Sequence, residues 1–314
     1  MSAFWDTWRK EIIRGAALFC AVLAIGLFVN YAVGRGRQIV VTSIPAALRD
    51  LRSEFGADPG SGPRSTGGTW TYKAKLAPKQ RLSVRNTRGS ITVGSTSGDT
   101  VQITAVKTYR SSDTGSVRVV AVPYDGGIAV CALWEGDDAC GPGESGWNFR
   151  ERRHGESDLN WRGRRHNDVA VDFTVRLPRN VGLRAATFVG DVHVTGAHAP
   201  LDVRTVSGDV DAVTARGPAT AESKNGNVRI RVEAFGETGD VSASTLNGSV
   251  TAELPAQLDA DVSAQTVNGS IASDYPLTVS GKFMGHDAVG TVGRGGRRVR
   301  LETVNGSIRL KKAV

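Results

Sequence analysis

The chain has 314 residues, a formal net charge of +8, 38 glycines and only 6% aromatic residues. This length accommodates one large or two ordinary domains. The abundant glycine and the scarce aromatic residues favour a turn-rich, all-β protein with a thin aliphatic core, and helical periodicity is hard to find beyond residue 60. The few aromatic residues also argue against a nucleic-acid-binding protein, despite the basic charge.

The N-terminal segment predicts a membrane anchor. Residues 15–34 contain no charged side chain and are mostly apolar, and a run of about 20 such residues can just span a bilayer. Trp5 and Trp8 precede this run, where interface-anchoring aromatic residues belong. The alternative is a cleaved signal peptide that ends near Ala32-Val33-Gly34. We expect residues 1–11 to be a short tail and residues 12–34 to be an uncleaved transmembrane helix.

The cysteines, rather than the charges, predict the compartment. Basic residues flank the apolar run on both sides, so the positive-inside count is close to a tie. Cys131 and Cys140 share one glycine-rich loop, which fits a local disulfide in an oxidising compartment. The alternative is that these two cysteines stay reduced and form no disulfide. We therefore expect a single-pass protein of the bacterial cytoplasmic membrane, with its main domain outside the cytoplasm.

The rest of the chain divides into a stalk and a β-domain. Residues 35–68 become rich in Pro, Gly and Ser and are predicted to form a flexible stalk. Residues 69–314 are predicted to form the domain, with a polar loop inserted at 134–167. Well-alternating segments predict four long strands around this loop, namely Val101–Thr108, Val117–Val122, Ile128–Leu133 and Val169–Leu177.

A six-residue pattern recurs through the second half of the domain. The strongest copies contain Asn-Gly-Ser and lie at Thr245–Val250, Thr266–Ile271 and Thr303–Ile308. Weaker copies surround Gly190, Gly208, Gly226 and, at a distance, Gly89. The glycine steps are 18 (190 to 208), 18 (208 to 226), 22 (226 to 248) and 21 (248 to 269). A period of about 20 residues with strand-like flanks predicts a β-solenoid in which each repeat supplies two short strands.

The Asn-Gly pair supplies the positive φ of a tight turn, most commonly a two-residue hairpin. Because the turn returns at a constant period, we interpret it as the corner of a coil. Equivalent residues of neighbouring coils would then stack at roughly 4.8 Å. Asn225, Asn247 and Asn268 are expected to form a ladder along this corner. The repeat turn also accounts for the three Asn-Gly-Ser glycosylation patterns.

The segment from Gly290 to Leu310 closely resembles the C-terminal signature of the bacterial putative adhesin family, also called the toastrack domain. Ile128–Trp134, Arg176–Leu183 and the Asn-Gly-Ser turns resemble that family too, so the resemblance covers roughly residues 69–314. It implies a β-solenoid-like domain, often associated with the cell envelope, with no established catalytic residues. The arginine-rich part of the polar loop has no place in the family pattern.

Catalytic and cofactor chemistry finds little support in the sequence. Asp191 and Asp209 occupy the same repeat position and could form the carboxylate pair of a polysaccharide-active β-helix enzyme. The alternative is that an Asp after the glycine caps the turn. The glycines from 290 to 296 do not have dinucleotide spacing, and no phosphate loop, catalytic triad or metal-ligand spacing is present. We expect no cofactor, no metal and no catalytic residue.

The basic residues predict attraction to polyanions. They cluster in the polar loop and near the C-terminus, and the candidate polyanion-binding residues are Arg152, Arg153, Arg164, Arg165, Arg297 and Arg298. For an exported domain, anionic envelope polymers or lipid headgroups are the expected ligands. The favoured function is a non-enzymatic binding or scaffold module of the envelope. The alternatives are a polysaccharide-active enzyme and a cytoplasm-facing stress-sensing or assembly partner.

Overall fold

A computed structural model describes residues 64–135, 140–141, 167–235, 239–280 and 285–313. These residues form an all-β structure, as predicted, with a single 3-10 turn at Thr114–Ser116. The predicted tail, the predicted anchor and most of the predicted stalk lie outside the described residues. Within the described ranges, no helix is long and apolar enough to cross a bilayer.

Strands occupy most of the described chain. In chain order they are β1 (Ser65–Lys75), β2 (Arg81–Arg85), β3 (Ile91–Thr96), β4 (Thr100–Tyr109), β5 (Val117–Tyr124), β6 (Gly127–Trp134), β7 (Ala170–Pro178), β8 (Gly182–Val189), β9 (Val192–Ala197), β10 (Leu201–Ser207), β11 (Val210–Arg216), β12 (Ala219–Glu222), β13 (Val228–Ala234), β14 (Val241–Asn247), β15 (Val250–Leu254), β16 (Ala260–Asn268), β17 (Ile271–Ser273), β18 (Thr278–Ser280), β19 (His286–Val292), β20 (Arg297–Asn305) and β21 (Ile308–Lys312). The first strand begins at Ser65, inside the predicted stalk, whereas β4 to β7 match the four predicted long strands closely.

The strands form two sheets. Sheet A has the order β1-β4-β7-β3-β9-β11-β13-β15-β21-β17, and sheet B has the order β18-β19-β16-β20-β14-β12-β10-β8-β2-β6-β5. From β8 to β15 the chain alternates between the sheets, and each strand from β8 to β13 pairs in parallel with the strand two places later. Each repeat therefore contributes one strand to each sheet, and its glycine turn is the corner between them. We call one such pair of strands a coil.

The core between the sheets is a stack of aliphatic side chains. The strands alternate buried and more exposed residues, as β10 and β11 do along their length. In sheet A, Val210, Val228, Val250 and Ile308 are cross-strand partners in consecutive coils, and each is at most 1% exposed. Burying an aliphatic side chain of this size contributes about 1.5–3 kcal/mol. The inward residue of each coil thus stabilises the coils on either side of it.

Glycine is required at the corners because neighbouring coils approach very closely there. A Cβ atom on Gly248 would lie 2.1 Å from the carbonyl oxygen of Gly226, and one on Gly306 would lie 1.9 Å from that of Gly248. The same corner glycines have φ values of +151° to +157°, which side chains rarely adopt. Both the space and the backbone conformation therefore exclude larger residues.

The motif also has a threonine three positions before the corner glycine, and its hydroxyl binds the neighbouring coil. The Thr245 hydroxyl donates a hydrogen bond of 2.8 Å to the Gly226 carbonyl, although the threonine is only 6% exposed. The equivalent hydroxyls make the same bond in the other coils, from Thr187, Thr205, Ser223, Thr266 and Thr303. In the first coil Asn86 takes this place and donates to the Val171 carbonyl at 2.8 Å. We call this row the threonine ladder.

The coils do not stack in the order of the sequence. The first coil, β2 and β3, lies between β8 and β6 in sheet B and between β9 and β7 in sheet A. The last coil, β20 and β21, lies between the coil of β14 and β15 and that of β16 and β17. The first and last coils of the domain are therefore both enclosed by other coils.

This order corrects the expected asparagine ladder. Asn247 donates to Asn225 at 2.8 Å, but its other neighbour is Asn305, which donates to it at 2.7 Å. Asn268 is the next member and donates to Asn305 at 2.8 Å. The prediction that Asn268 stacks on Asn247 was wrong, because the last coil inserts between them. We call these four residues the asparagine ladder.

The glycine-rich part of the C-terminal signature forms the crossover that permits this insertion. Residues 293–296 lead from β19, on one side of β16, to β20 on its other side. A Cβ atom on Gly293 would lie 2.1 Å from an Asp259 carboxylate oxygen. The same carboxylate accepts from the Arg294 backbone amide at 2.8 Å, and Asp261 accepts from that of Gly296 at 3.1 Å. The glycines of the signature thus allow the chain to cross from one side of β16 to the other.

The corner geometry predicts the result of a glycine substitution. Gly248→Ala would place a methyl group against the Gly226 backbone, and we expect a loss of about 3 kcal/mol or more in the free energy of unfolding. Gly98→Ala is the matched control, because a Cβ atom there meets nothing closer than 4.0 Å, and its effect should stay within about 0.5 kcal/mol. Chemical denaturation measures both variants, and equal stabilities would contradict the close-approach explanation.

Candidate functional site

The structure joins Cys131 and Cys140 in a disulfide with a Cα–Cα distance of 5.7 Å. Cys131 lies on β6, and this strand is buried on both faces, unlike most others. Ala129 and Leu133, which flank Cys131 on the outer side of sheet B, are 1% and 5% exposed. The disulfide therefore fixes the start of the polar loop against the sheet. Most of that loop, with Arg152, Arg153, Arg164 and Arg165, lies outside the described residues.

The two remaining candidate polyanion-binding residues are engaged with neighbours. The Arg298 side chain forms an ion pair of 3.0 Å with Asp240, and its backbone amide bonds to the same carboxylate. The Arg297 guanidinium lies 5.7 Å from the centre of the Phe235 ring. Nearby, Arg294 pairs with Asp259 and Arg300 with Glu302. Carboxylates thus neutralise most of the C-terminal cluster that the sequence singles out.

Asp191 and Asp209 stack as neighbours, but both carboxylates bind backbone. Asp191 accepts from the Asp209 amide at 2.8 Å, and Asp209 accepts from the Asn227 amide at 2.7 Å. Asn227 then accepts from the Ser249 amide at 3.0 Å, and Asp172 plays the same part for Ser90. This arrangement favours the turn-capping interpretation, because each of these side chains accepts a hydrogen bond from a backbone amide of the next coil.

Asp168 anchors the base of the polar loop. Its carboxylate accepts from the backbone amides of Arg110, Ser111 and Ser112 at 2.9–3.0 Å, and its own amide donates to the Ser112 hydroxyl. Burial opposes ionisation of Asp168, but the bonds from Ser112, Ser111 and Arg110 outweigh it and hold the pKa well below its usual range. The charged carboxylate therefore ties the end of β4 to the start of β7.

An open groove of about 460 Å³ lies at the β1 and β5 end of the stack. Trp70 forms part of its wall, and this ring stacks on Tyr72 at a centroid distance of 5.7 Å. Lys107 and Arg118 are the titratable side chains that line it. The groove holds no carboxylate, histidine or cysteine in its lining, so it offers no acid–base pair. Among the described residues, no group of three or more possible ligands is arranged to hold a metal ion.

A basic area that the sequence analysis missed lies on the outer face of sheet A. Arg229 on β13 and Arg309 on β21 flank Thr251 on β15, and all three are cross-strand partners. Two residues further along the same strands, Arg231 and Lys311 flank Glu253. We call Arg229, Arg231, Arg309 and Lys311, with the intervening Thr251 and Glu253, the basic area.

The basic area carries a net positive charge. Arg231 forms an ion pair with Glu253, which leaves Arg229, Arg309 and Lys311 as exposed cations. Among the described residues, no carboxylate lies within ion-pair distance of those three. Asp211, the cross-strand neighbour of Arg229, lies 3.5 Å from the His193 ring nitrogen on its other side. The area is therefore a cationic surface on three adjacent strands, bounded by Asp211.

The sequence model of the Toastrack DUF4097 family matches residues 179–311. The chain contains a Toastrack domain. The resemblance seen in the sequence is confirmed for this segment, which spans β8 to β20 and most of β21. The basic area lies wholly within the Toastrack segment, whereas the disulfide, Asp168 and the groove lie outside it.

Several solved structures are similar to this chain. One is a "putative cell adhesion protein" from Clostridium sporogenes, with 11% identity, a TM-score of 0.41 and coverage of 78% of this chain and 100% of that chain. A "putative adhesin" from Bacteroides fragilis has 11% identity, a TM-score of 0.27 and coverage of 78% and 97%. Another from Parabacteroides merdae has 10% identity, a TM-score of 0.24 and coverage of 79% and 97%. No curated protein matches the chain.

Inserted coils explain why the basic area was missed. Arg229 and Arg309 each lie three residues after a corner glycine, but their coils are separated by 80 residues of sequence (229 to 309). In the order of the sequence, the coil after that of Thr251 contains Ala272 at this position, so no cationic row is visible. Knowledge of the crossover would have been needed to find it.

The Asp168 anchor predicts a pH dependence. Because the folded pKa is depressed, the carboxylate stabilises the fold at neutral pH, and this contribution is lost as pH falls below about 3.8, its ordinary pKa. Asp168→Asn should lower the stability at neutral pH and make the decline below that pH shallower. Urea denaturation over a pH series measures this effect. Asp125→Asn, in the exposed turn after β5, is the control, and identical pH profiles for the two variants would contradict the anchor.

Proposed function

We propose that this chain is a membrane-anchored, extracytoplasmic β-solenoid that acts as a non-enzymatic binding module of the bacterial envelope. It binds anionic groups, those of acidic envelope polymers or of lipid headgroups, on the outer face of sheet A. The observation that carries this proposal is the basic area, with three exposed cations and one internally paired arginine. Positive charge concentrated on one face raises the local concentration of anionic ligands.

The spacing of the cations suits a repeating or planar ligand. Arg229 and Arg309 lie on strands separated by one other strand, which places their backbones about 9.6 Å apart. Arg309 and Lys311 are two residues apart on β21, a distance of about 6.6 Å along the strand. Paired strands hold such positions in place, so several anionic groups of one polymer or surface can be bound together without ordering a loop.

The acidic residues that could have been catalytic have structural roles, which supports a non-enzymatic function. Asp191 and Asp209 each use one carboxylate oxygen to bind the backbone of the next coil, which is the role of a turn cap. The groove beside Trp70 has two cations and no carboxylate in its lining. General acid–base catalysis of glycoside cleavage needs two carboxyl groups that face one substrate. The groove beside Trp70 offers no such pair, and the Asp191 and Asp209 carboxylates cap turns, so we favour binding over polysaccharide cleavage.

The proposed location rests on two features of the chain. The uncharged run of residues 15–34 is long enough for a bilayer, and the Cys131–Cys140 disulfide fits an oxidising compartment. Together they support a single-pass protein whose Toastrack domain lies outside the cytoplasm. A cytoplasm-facing domain would keep these two cysteines as thiols. A topology reporter fused after Val314 distinguishes the two orientations.

Neutralising the basic area tests the ligand class. The full chain, held in neutral lipid nanodiscs, is titrated with an immobilised acidic polysaccharide and with vesicles that contain anionic phospholipid. We expect Arg229→Gln, Arg309→Gln and Lys311→Gln together to weaken binding at least about tenfold, since each cation near an anionic surface contributes about 1 kcal/mol. Binding should also weaken as salt is added.

The matched control removes the same charge elsewhere. Arg118→Gln, Arg179→Gln and Arg216→Gln together neutralise three exposed arginines outside the basic area. If both triple variants lose affinity equally, the net charge and not the basic area attracts the ligand. If wild-type protein binds neither the polysaccharide nor the anionic vesicles, the binding-module proposal fails.

A further inference from the structure

Four Asn-Gly pairs occupy the corner of the stack, at Asn225, Asn247, Asn268 and Asn305, and all four asparagines are exposed. An Asn-Gly pair can react without an enzyme. The glycine backbone nitrogen attacks the side-chain amide carbon, a C–N bond forms, and ammonia leaves with the displaced proton. Water then opens the cyclic imide to aspartate or isoaspartate. Glycine permits this attack because it has no side chain to obstruct it.

Three of the glycine nitrogens are held away from this reaction. The Gly226 N–H donates to the Asn247 carbonyl, the Gly248 N–H to the Asn305 carbonyl and the Gly306 N–H to the Asn268 carbonyl, each at 2.9 Å. In every case the acceptor belongs to the next coil of the stack. To attack its own asparagine, each nitrogen must break this bond and turn out of the corner.

The fourth glycine lies at the end of the stack. Strand β17 is the last strand of sheet A, and among the described residues the Gly269 N–H has no acceptor. Strand β17 is also an edge strand of only three residues, and short edge strands open more easily than central ones. Gly269 is therefore the corner glycine with the least restrained backbone nitrogen.

The side chain of Asn268 is also the terminal member of the asparagine ladder. Its amide nitrogen donates to Asn305, but its amide oxygen accepts from no described residue. Asn247 and Asn305 are held at both ends of the amide, whereas Asn225 accepts from Asn247 and is held at one end. Asn225 thus shares the loosely held amide of Asn268, but its glycine nitrogen is bonded to the Asn247 carbonyl.

We propose that Asn268 is a site of spontaneous deamidation and that the stacked coils protect Asn225, Asn247 and Asn305. The modified group is the Asn268 carboxamide, the nucleophile is the Gly269 nitrogen, and water is the second reactant. The product replaces the Asn268 amide with a carboxylate, which has no N–H, so the bond that Asn268 donates to Asn305 is lost. An isoaspartate product lengthens the backbone at the corner and displaces β17 from its register on β21.

Peptide mass spectrometry of the aged full chain measures the reaction at each site. Folded protein is incubated at mildly alkaline pH, digested, and scored for conversion of amide to carboxyl. We expect Asn268 to react about tenfold faster than Asn247 and Asn305, since the bonds of their glycine nitrogens must break first. Asn225 should react as slowly as Asn247, because its glycine nitrogen is bonded.

Two comparisons test whether the stack, rather than the intrinsic reactivity of each Asn-Gly pair, sets the reaction rates. In the denatured chain all four pairs should react at similar rates, because no stack protects them. Asn268→Gln should remove the fast reaction in folded protein and leave the other three rates unchanged. Equal deamidation rates at Asn268 and Asn247 in the folded chain would overturn the proposal. It would also be overturned if Asn268 reacted faster than Asn247 by the same factor in the denatured chain.

Discussion

Close contact between corner glycines is the constraint on which the rest of the structure depends. A Cβ atom at these corners would lie 1.9–2.2 Å from the carbonyl oxygen of the glycine in the adjacent coil. That approach brings each threonine hydroxyl of the threonine ladder within 2.8–3.0 Å of the same carbonyl, and it keeps successive strands in parallel register in both sheets. The motif is therefore a set of mutually dependent contacts: glycine allows the approach, threonine satisfies the buried carbonyl, and the residue after glycine satisfies the next backbone amide.

These corner contacts leave the outer faces of the sheets free to vary. Outward residues are not needed for the corner bonds, so charge can be placed on a face without cost to the stack. The basic area on sheet A illustrates this, since Arg229, Arg309 and Lys311 alternate along their strands with fully buried Val228, Ile308 and Leu310. The C-terminal arginines show the opposite use, because Arg294 and Arg298 are paired with Asp259 and Asp240 of other coils. In this C-terminal cluster, the density of arginine in the sequence thus did not indicate unpaired positive charge.

The sequence predicted the repeat unit, the corner at Asn-Gly and the four long strands, because each depends on local features such as period-two alternation and glycine conformation. The order of the coils was not predictable in that way. Val250, Ile271 and Ile308 are interchangeable aliphatic residues at one repeat position, so hydrophobic pattern alone does not determine which coils are neighbours. The crossover at Gly293 and Gly295 decides that order, and contacts across it, such as the Asn247–Asn305 bond, follow from it. The basic area depends on the same order, which is why its residues were not recognised together.

Enclosure of the last coil has a consequence for when the domain can form. Strands β20 and β21 separate the coil of β14 and β15 from that of β16 and β17, and the two coils do not pair directly. Until Arg297–Lys312 has emerged from the ribosome, β16 therefore lacks the strand that joins it to the stack. Coils from Gly182 to Leu254 can assemble as they are synthesised, because each needs only its predecessor and successor. The final arrangement thus waits for the last coil, and a chain without β20 and β21 would leave β16 to β19 outside the assembled stack.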